Sequence, residues 1–239
     1  MSNQKIIETY KKRARSYSKD MSWLEKPLLF EPLSIPAFGG KKALDACSGT
    51  GCVASHLRKH GWDVTAVDVC EEMLQQVEHG VFCVVSDIAG MPFNDSEFDI
   101  SVCRQGLQYT NVEQALKSLF RVTKSKVILG HITIEDSIDL PFWENYFSIA
   151  SPGRKHVFLP GDIKTYATKL GWSLEEERII YDSASLLSPI QYLGENKLKA
   201  LQSIVKNTTQ EFKDRNGITI TNEDIVYKRR WEFQVYIKV

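Results

Sequence analysis

Three aspartates and a glycine-rich turn carry the first chemical signal in this chain of 239 residues. The phrase Leu44-Asp45-Ala46-Cys47-Ser48-Gly49-Thr50-Gly51 reads as a strand entering a tight turn. Glycines there let the backbone approach a ligand at the start of the next helix. Gly49-Thr50-Gly51-Cys52-Val53-Ala54 also fits the dinucleotide pattern G-x-G-x-x-G/A, so NAD and FAD are in view. Asp68 ends a second run of β-branched residues, where a carboxylate accepts from both hydroxyls of a ribose. Two further acids separate the cofactor classes. Asp45, just before the glycines, would repel a pyrophosphate and attract the ammonium group of a methionine moiety. Asp87, followed by apolar Ile88, would accept from an adenine amino group while the ring packs on the aliphatic side chain. A single such aspartate is commonly a helix cap. Three of them, each at the C-terminal end of a predicted strand, are poorly explained that way.

The elements that must hold these residues alternate along the chain. Strands are predicted over 43–46, 64–69, 81–86, 98–103 and 126–132, and helices over 52–60, 71–78 and 112–122. This βαβα rhythm predicts an α/β fold, a Rossmann-like, mostly parallel sheet with helices on both faces. Residues 3–19 read as one polar helix carrying Ile6, Tyr10, Ala14 and Tyr17 on a common face. Pro27, Pro32, Pro36 and Gly39-Gly40 then break the chain. We therefore divide the sequence into an N-terminal helical lid segment, 1–40, and a domain, 41–239. The domain has a cofactor half, 41–132, and substrate or lid insertions at 133–160 and 187–224. A helix over 162–170, a strand over 174–186, a long helix over 194–215 and a final strand over 225–239 complete the reading.

Lysine plus arginine equal aspartate plus glutamate, at 30 each, so no general footprint for nucleic acid or anionic membrane is expected. The run Lys11-Lys12-Arg13-Ala14-Arg15 reads as a solvated helix face. No apolar run is long enough to span a bilayer and no signal-peptide pattern is present, so a cytoplasmic location is expected. The five cysteines form no C-x-x-C pair. Cys47, Cys70 and Cys103 fall near predicted strand ends, where small cysteines packed around a cofactor pocket are preferred over a soft-metal site.

Taken together, these residues resemble the class I S-adenosylmethionine-dependent methyltransferases, in particular the family that includes the ubiquinone/menaquinone-biosynthesis enzymes. The resemblance covers about residues 41–132. Its most specific stretch is Asp87-Ile88-Ala89-Gly90-Met91-Pro92-Phe93-Asn94-Asp95-Ser96-Glu97-Phe98-Asp99, with methionine where the family's "LPF" has leucine. Gly171-Trp172 resembles the family's "GF" turn. The departure is in the glycine loop, where Cys47 and Ser48 replace the usual glycine and cysteine of "LDxGCGTG". The resemblance implies a seven-stranded sheet with an antiparallel final hairpin, and S-adenosylmethionine as cofactor. It implies that Asp45, Gly49 and Gly51 surround the methionine end, Asp68 the ribose, and Asp87 with Ile88 the adenine. Arg104 and Gln105 would lie beside the cofactor's carboxylate and sulfonium. Tyr10 and Tyr17 match an N-terminal "Y-x-x-x-A-x-x-Y" pattern that closes over the cofactor.

The turn after strand 4, Arg104-Gln105-Gly106-Leu107, lacks the D/N-P-P-Y/F of amino-methylating DNA enzymes, and Cys103 follows valine rather than proline. No magnesium-binding carboxylates are evident, so a metal-independent transfer to oxygen, nitrogen or carbon of a small-molecule acceptor is expected, by alignment and exclusion of water. His131, just past strand 5, is the candidate base, with Tyr17 near the transferring methyl. Trp143, Tyr146 and His156 are candidate acceptor contacts. A tRNA or protein methyltransferase, or a non-catalytic cofactor-binding activator subunit, are the alternatives, in a monomer or homodimer.

Overall fold

In the computed structural model, which describes residues 3–21, 23–37, 41–222 and 224–238, the chain starts with α1 (Gln4–Arg13) and α2 (Tyr17–Asp20). The predicted Gly39-Gly40 break lies outside the described residues. The single helix expected over 3–19 is interrupted at residues 14–16. The bend brings the Tyr10 and Tyr17 rings edge to face, with centroids 5.7 Å apart and the Arg13 guanidinium packed on both.

Strands and helices then alternate: β1 (Lys42–Ala46), α3 (Cys52–Lys59), β2 (Asp63–Asp68), α4 (Glu71–Leu74), β3 (Phe82–Val85), β4 (Phe98–Arg104), α5 (Val112–Val122) and β5 (Thr123–Thr133). The second half holds α6 (Leu140–Ala150), α7 (Asp162–Lys169), β6 (Trp172–Ser185), α8 (Glu195–Lys206), α9 (Gln210–Arg215), β7 (Thr219–Ile220) and β8 (Ile225–Lys238). The sheet runs β3-β2-β1-β4-β5-β8-β6, with β7 paired to β8. Strands β1 to β5 are parallel, and β8 is antiparallel to both β5 and β6. Among the described residues the sheet therefore has eight strands rather than the seven expected, the extra one being the two-residue β7.

Strand order reverses between β1 and β4, which opens a crevice at their C-terminal ends. The central strands are buried on both faces, so most of their residues are apolar, with buried Asp45 in β1 and Ser101 in β4 as exceptions. One face packs Leu44, Ala46 and Leu129 against α5 and α7. The other packs Ala43, Val102 and Ile128 against α3 and the Leu29–Leu33 segment. A third cluster, with Trp143, Tyr146, Leu201 and Phe212, fills the lobe built by α6, α8 and α9.

Beyond α1 and α2, further helices differ from expectation. α4 stops at Leu74, short of Glu78. The long helix over 194–215 is two helices, because Thr209 accepts from the Phe212 N–H at 3.2 Å and starts α9 as a new cap. α6, unmarked in the sequence reading, carries Pro141 in its first turn, where no helical N–H is missed. Asp182 ties the parts together at the back of the crevice. It accepts from Arg229 Nε at 2.9 Å, Arg229 Nη2 at 2.6 Å, Trp231 Nε1 at 3.0 Å and Lys26 Nζ at 2.7 Å. Burial alone would raise its carboxyl pKa; Arg229 and Lys26 outweigh it and hold Asp182 below its ordinary value. Among the described residues no helix is long and apolar enough to cross a membrane.

Candidate functional site

The turn after β1 takes left-handed backbone at Cys47 (φ 59°), Gly49 (φ 55°) and Gly51 (φ 82°). That path aims the Gly49 N–H at Asp68 Oδ2, 3.0 Å away, while the Cys70 N–H donates to Oδ1 at 2.9 Å. Each carboxylate oxygen thus holds one backbone donor and keeps acceptor capacity toward the cavity that Asp68 lines. Burial raises the Asp68 carboxyl above its ordinary value in spite of those donors. At the next strand end, Asp87 Oδ1 accepts from the Ala89 N–H at 2.9 Å, and Oδ2 from Asn3 Nδ2 at 2.6 Å. Asn3 lies just before α1, so an amide donor from the N-terminal segment sits on the oxygen assigned to an adenine amine.

These residues line one cavity of about 680 Å³, part of it open to solvent. Ile88, Met73 and Gly106 shape its apolar walls, and Ile6, Tyr10 and Tyr17 close one side. A lobe continues from it past Tyr17, Cys47, Gly49 and Gln105, and is lined by Asp45 and Arg104. Asp45 is 1 % exposed; its Oδ2 accepts from Ser48 Oγ at 2.7 Å and the Ala54 N–H at 2.9 Å. Burial still pushes this carboxyl up to about 7. Arg104 Nη2 donates to the Leu24 carbonyl at 3.1 Å and to Cys52 Sγ at 2.8 Å, while its buried Nη1 has no partner. The lobe therefore offers one anion and one incompletely bonded cation, the donor set that suits a zwitterionic amino-acid end.

A second cavity abuts the first across Tyr10, Tyr17, Gln105 and Tyr109. It is walled by Tyr146, Phe147, Ile132, Ser151 and Tyr227 and by three arginines, Arg13, Arg154 and Arg229. Arg154 stacks on Phe147, 4.0 Å from the ring centroid, and donates from Nε to the His156 carbonyl at 2.8 Å.

Residues 44–130 match the family model described as "Methyltransferase domain". A malonyl-[acyl-carrier protein] O-methyltransferase of Erwinia billingiae is 28% identical over 202 residues, covering 81% of this chain and 79% of that protein. One from Buchnera aphidicola is 30% identical over 167 residues, 67% of each chain. The chain belongs to the S-adenosylmethionine-dependent methyltransferases. Solved structures carry the same fold at low identity. A Bacillus halodurans candidate methyltransferase superposes with TM-score 0.80 at 19% identity, covering 88% of this chain and 98% of that one. A Haemonchus contortus phosphoethanolamine N-methyltransferase, solved with S-adenosyl-L-methionine, gives TM-score 0.66 at 16% identity over 95% of this chain and 57% of that one. The cofactor of this methyltransferase is S-adenosylmethionine. The acids of the first cavity and the zwitterion-matched lobe fit it.

The structure gathers Tyr10, Tyr17, Gly49, Asp68, Asp87, Ile88 and Gln105 around the first cavity, with Asp45 and Arg104 in its lobe. Gly51 stands apart. Its N–H bonds to the Ser48 carbonyl, and a Cβ there would meet Val77 at 2.9 Å, so glycine serves helix packing. His131 is 1 % exposed and bonds through Nε2 to Glu232 at 3.2 Å on the sheet face turned from the second cavity. It borders none of the cavities described here. Trp143 donates to Asn216 at 3.2 Å in the lobe core, and His156 donates to the Thr110 carbonyl at 3.1 Å; neither lines the second cavity, whereas Tyr146 does. The sequence reading missed Tyr109, Arg154 and Arg229, which reach the site from segments without a recognisable motif.

Proposed function

We propose that the enzyme transfers the methyl group of S-adenosylmethionine to a carboxylate oxygen of a small acyl acceptor that binds in the second cavity with its charge on Arg154. The observation that carries this reading is the makeup of that cavity. It opens beside the donor cavity, is lined by three arginines, and has no aspartate, glutamate, histidine or lysine among its described lining residues. Arg229 is matched by Asp182, but Arg154 pairs with no carboxylate among the described residues. A guanidinium held on an aromatic wall, out of bulk water, is a strong partner for an anion of planar shape.

The cofactor supplies a methyl group already activated by its sulfonium. A carboxylate oxygen is ionised at neutral pH, so its lone pair forms the new O–C bond with no proton to remove, while the S–C pair stays on sulfur. An alcohol or amine acceptor would need a base, and the described lining residues include no carboxylate, imidazole or amine: burial pushes the phenols of Tyr10 and Tyr17 up, so both stay protonated. The relatives named as malonyl-[acyl-carrier protein] O-methyltransferases support an acyl acceptor and an oxygen nucleophile. In this reading Asp68 receives the ribose hydroxyls, Asp87 and Ile88 the adenine, Asp45 the ammonium and Arg104 the carboxylate of the methionine end. The α1 and α2 helices close the site through Ile6, Tyr10 and Tyr17. Tyr17, where the cavities meet, orients and excludes water. His131 has no part in the step.

Release of S-adenosylhomocysteine across a panel of acyl acids, phenols and amines tests the reading. Acids are expected to turn over, with a rate at saturating cofactor that stays flat above about pH 6 because the acceptor is already ionised. Arg154→Gln should lower kcat/KM for the acid by about 10- to 100-fold, the range of one charged hydrogen bond, and Arg154→Lys should recover part of it. Turnover of a phenol or amine that ignores Arg154→Gln would sink the proposal.

A further inference from the structure

Between the two cavities stands Tyr109, in the turn that follows β4. Its hydroxyl accepts from Tyr10 Oη at 2.9 Å and lies 2.8 Å from Ser151 Oγ. Tyr10 belongs to α1, which covers the donor cavity, and Ser151 ends α6, which walls the acceptor cavity. The Tyr109 ring meets Tyr10 edge to face, with centroids 5.8 Å apart. The same turn grips the loop after α6 through its backbone, since the Lys155 N–H donates to the Gln108 carbonyl at 2.8 Å and His156 donates to the Thr110 carbonyl. Burial and the neighbouring Tyr109 phenol keep Tyr10 protonated, so the chain Tyr10, Tyr109, Ser151 has a donor at its head. Each hydroxyl passes a hydrogen bond onward, and the middle one serves both sides.

We infer that Tyr109 is a positioning residue that couples the donor lid to the acceptor wall. Seating of α1 over the donor orients the Tyr109 hydroxyl. That hydroxyl fixes Ser151 and the end of α6, where Phe147 and Arg154 shape the acceptor cavity. Donor and acceptor then strengthen each other's binding, and by linkage the coupling is equal in both directions. Naming the second cavity as the acceptor's rests on the function proposed above; the mechanical coupling does not.

The experiment is amide hydrogen exchange on the full chain with and without S-adenosylhomocysteine, in the wild type, Tyr109→Phe and Ser151→Ala. In the wild type, S-adenosylhomocysteine is expected to slow exchange in α1 and also over residues 145–156, the latter by about five-fold, the effect of one coupling hydrogen bond. Tyr109→Phe keeps the ring and should retain protection of α1 but lose the ligand-dependent protection of 145–156. Ser151→Ala, which does not line the donor cavity, should do the same with donor affinity falling by no more than that about five-fold coupling, and it decides alone if Tyr109→Phe fails to bind. A merely structural role would speed exchange equally with and without ligand. Ligand-dependent protection of 145–156 that survives both variants, or its absence from the wild type, overturns the inference. Neither result bears on whether the acceptor is an acid, which the turnover panel decides separately.

Discussion

Asp45→Asn should make the protein more stable at neutral and alkaline pH while weakening its hold on the cofactor. Asp45 is buried beneath the glycine turn, and burial lifts its carboxyl from an ordinary value of 3.8 to about 7, in spite of bonds from Ser48 and Ala54. The folded state therefore favours the proton more than the unfolded state does. The resulting stabilisation is whole below about pH 4, fades as pH rises to about 7, and is constant beyond. At 1.36 kcal/mol per tenfold change in proton affinity, that gap is worth about 4 kcal/mol at most. Asparagine keeps an oxygen for the Ser48 and Ala54 donors, but buries an amide that lacks a full set of partners, at about 1–3 kcal/mol. The net gain above pH 7 is then about 1–3 kcal/mol, or roughly 2–10 °C in Tm for a domain of this size. Thermal unfolding of both proteins, side by side from about pH 5 to about pH 8, reads the effect, whose size must grow with pH. A Tm difference that ignores pH, or a variant that loses ground as pH rises, would refute the reasoning. Titration of S-adenosylhomocysteine gives a second reading. Wild-type affinity should rise with pH through 7, because an ammonium beside Asp45 favours its ionised form, and the variant should bind more weakly without that slope.

Asp68→Ala is expected to reduce S-adenosylhomocysteine affinity about tenfold or more, measured by calorimetry, since the ribose hydroxyls lose a charged acceptor and the Gly49 and Cys70 amides lose theirs. Deleting residues 1–20 should leave a folded protein that binds cofactor less tightly and has lost most turnover, because water then reaches the site; full activity after deletion would argue against a lid. Turnover should be indifferent to EDTA, as a sulfonium-activated methyl group and an ionised acceptor need no Lewis acid.

The donor half was legible because its chemistry is local. Asp45, Asp68 and Asp87 each follow an apolar run within a few residues, and the parallel topology gathers strand ends without further information. The acceptor half is assembled from distant pieces. Arg154 comes from a loop, Arg229 from β8 and Tyr109 from a short turn, and no spacing in the sequence links them. His131 stands one residue of strand parity away from the second cavity: Ile132 faces it, so its predecessor faces the other side, against Phe158 and Glu232. Trp143 shares the face of α6 that carries Tyr146, Phe147 and Ala150, but it stands a turn nearer the helix start, beyond the cavity, with its indole held by Asn216 in the lobe core. The break at Thr209 went unseen because the apolar period continues across it.

The glycine turn also ties two positions to each other. Cys47 occupies left-handed backbone, and its side chain fills the space above Gly106. A Cβ at position 106 would lie 2.3 Å from Cys47 Cβ and 2.4 Å from its sulfur. The two sites share one volume, so their substitutions cannot be additive. Cys47 thus acts as a lock on its neighbour: while its side chain is in place no side chain fits at position 106, whereas glycine at position 47 would both relieve the left-handed backbone and free that volume.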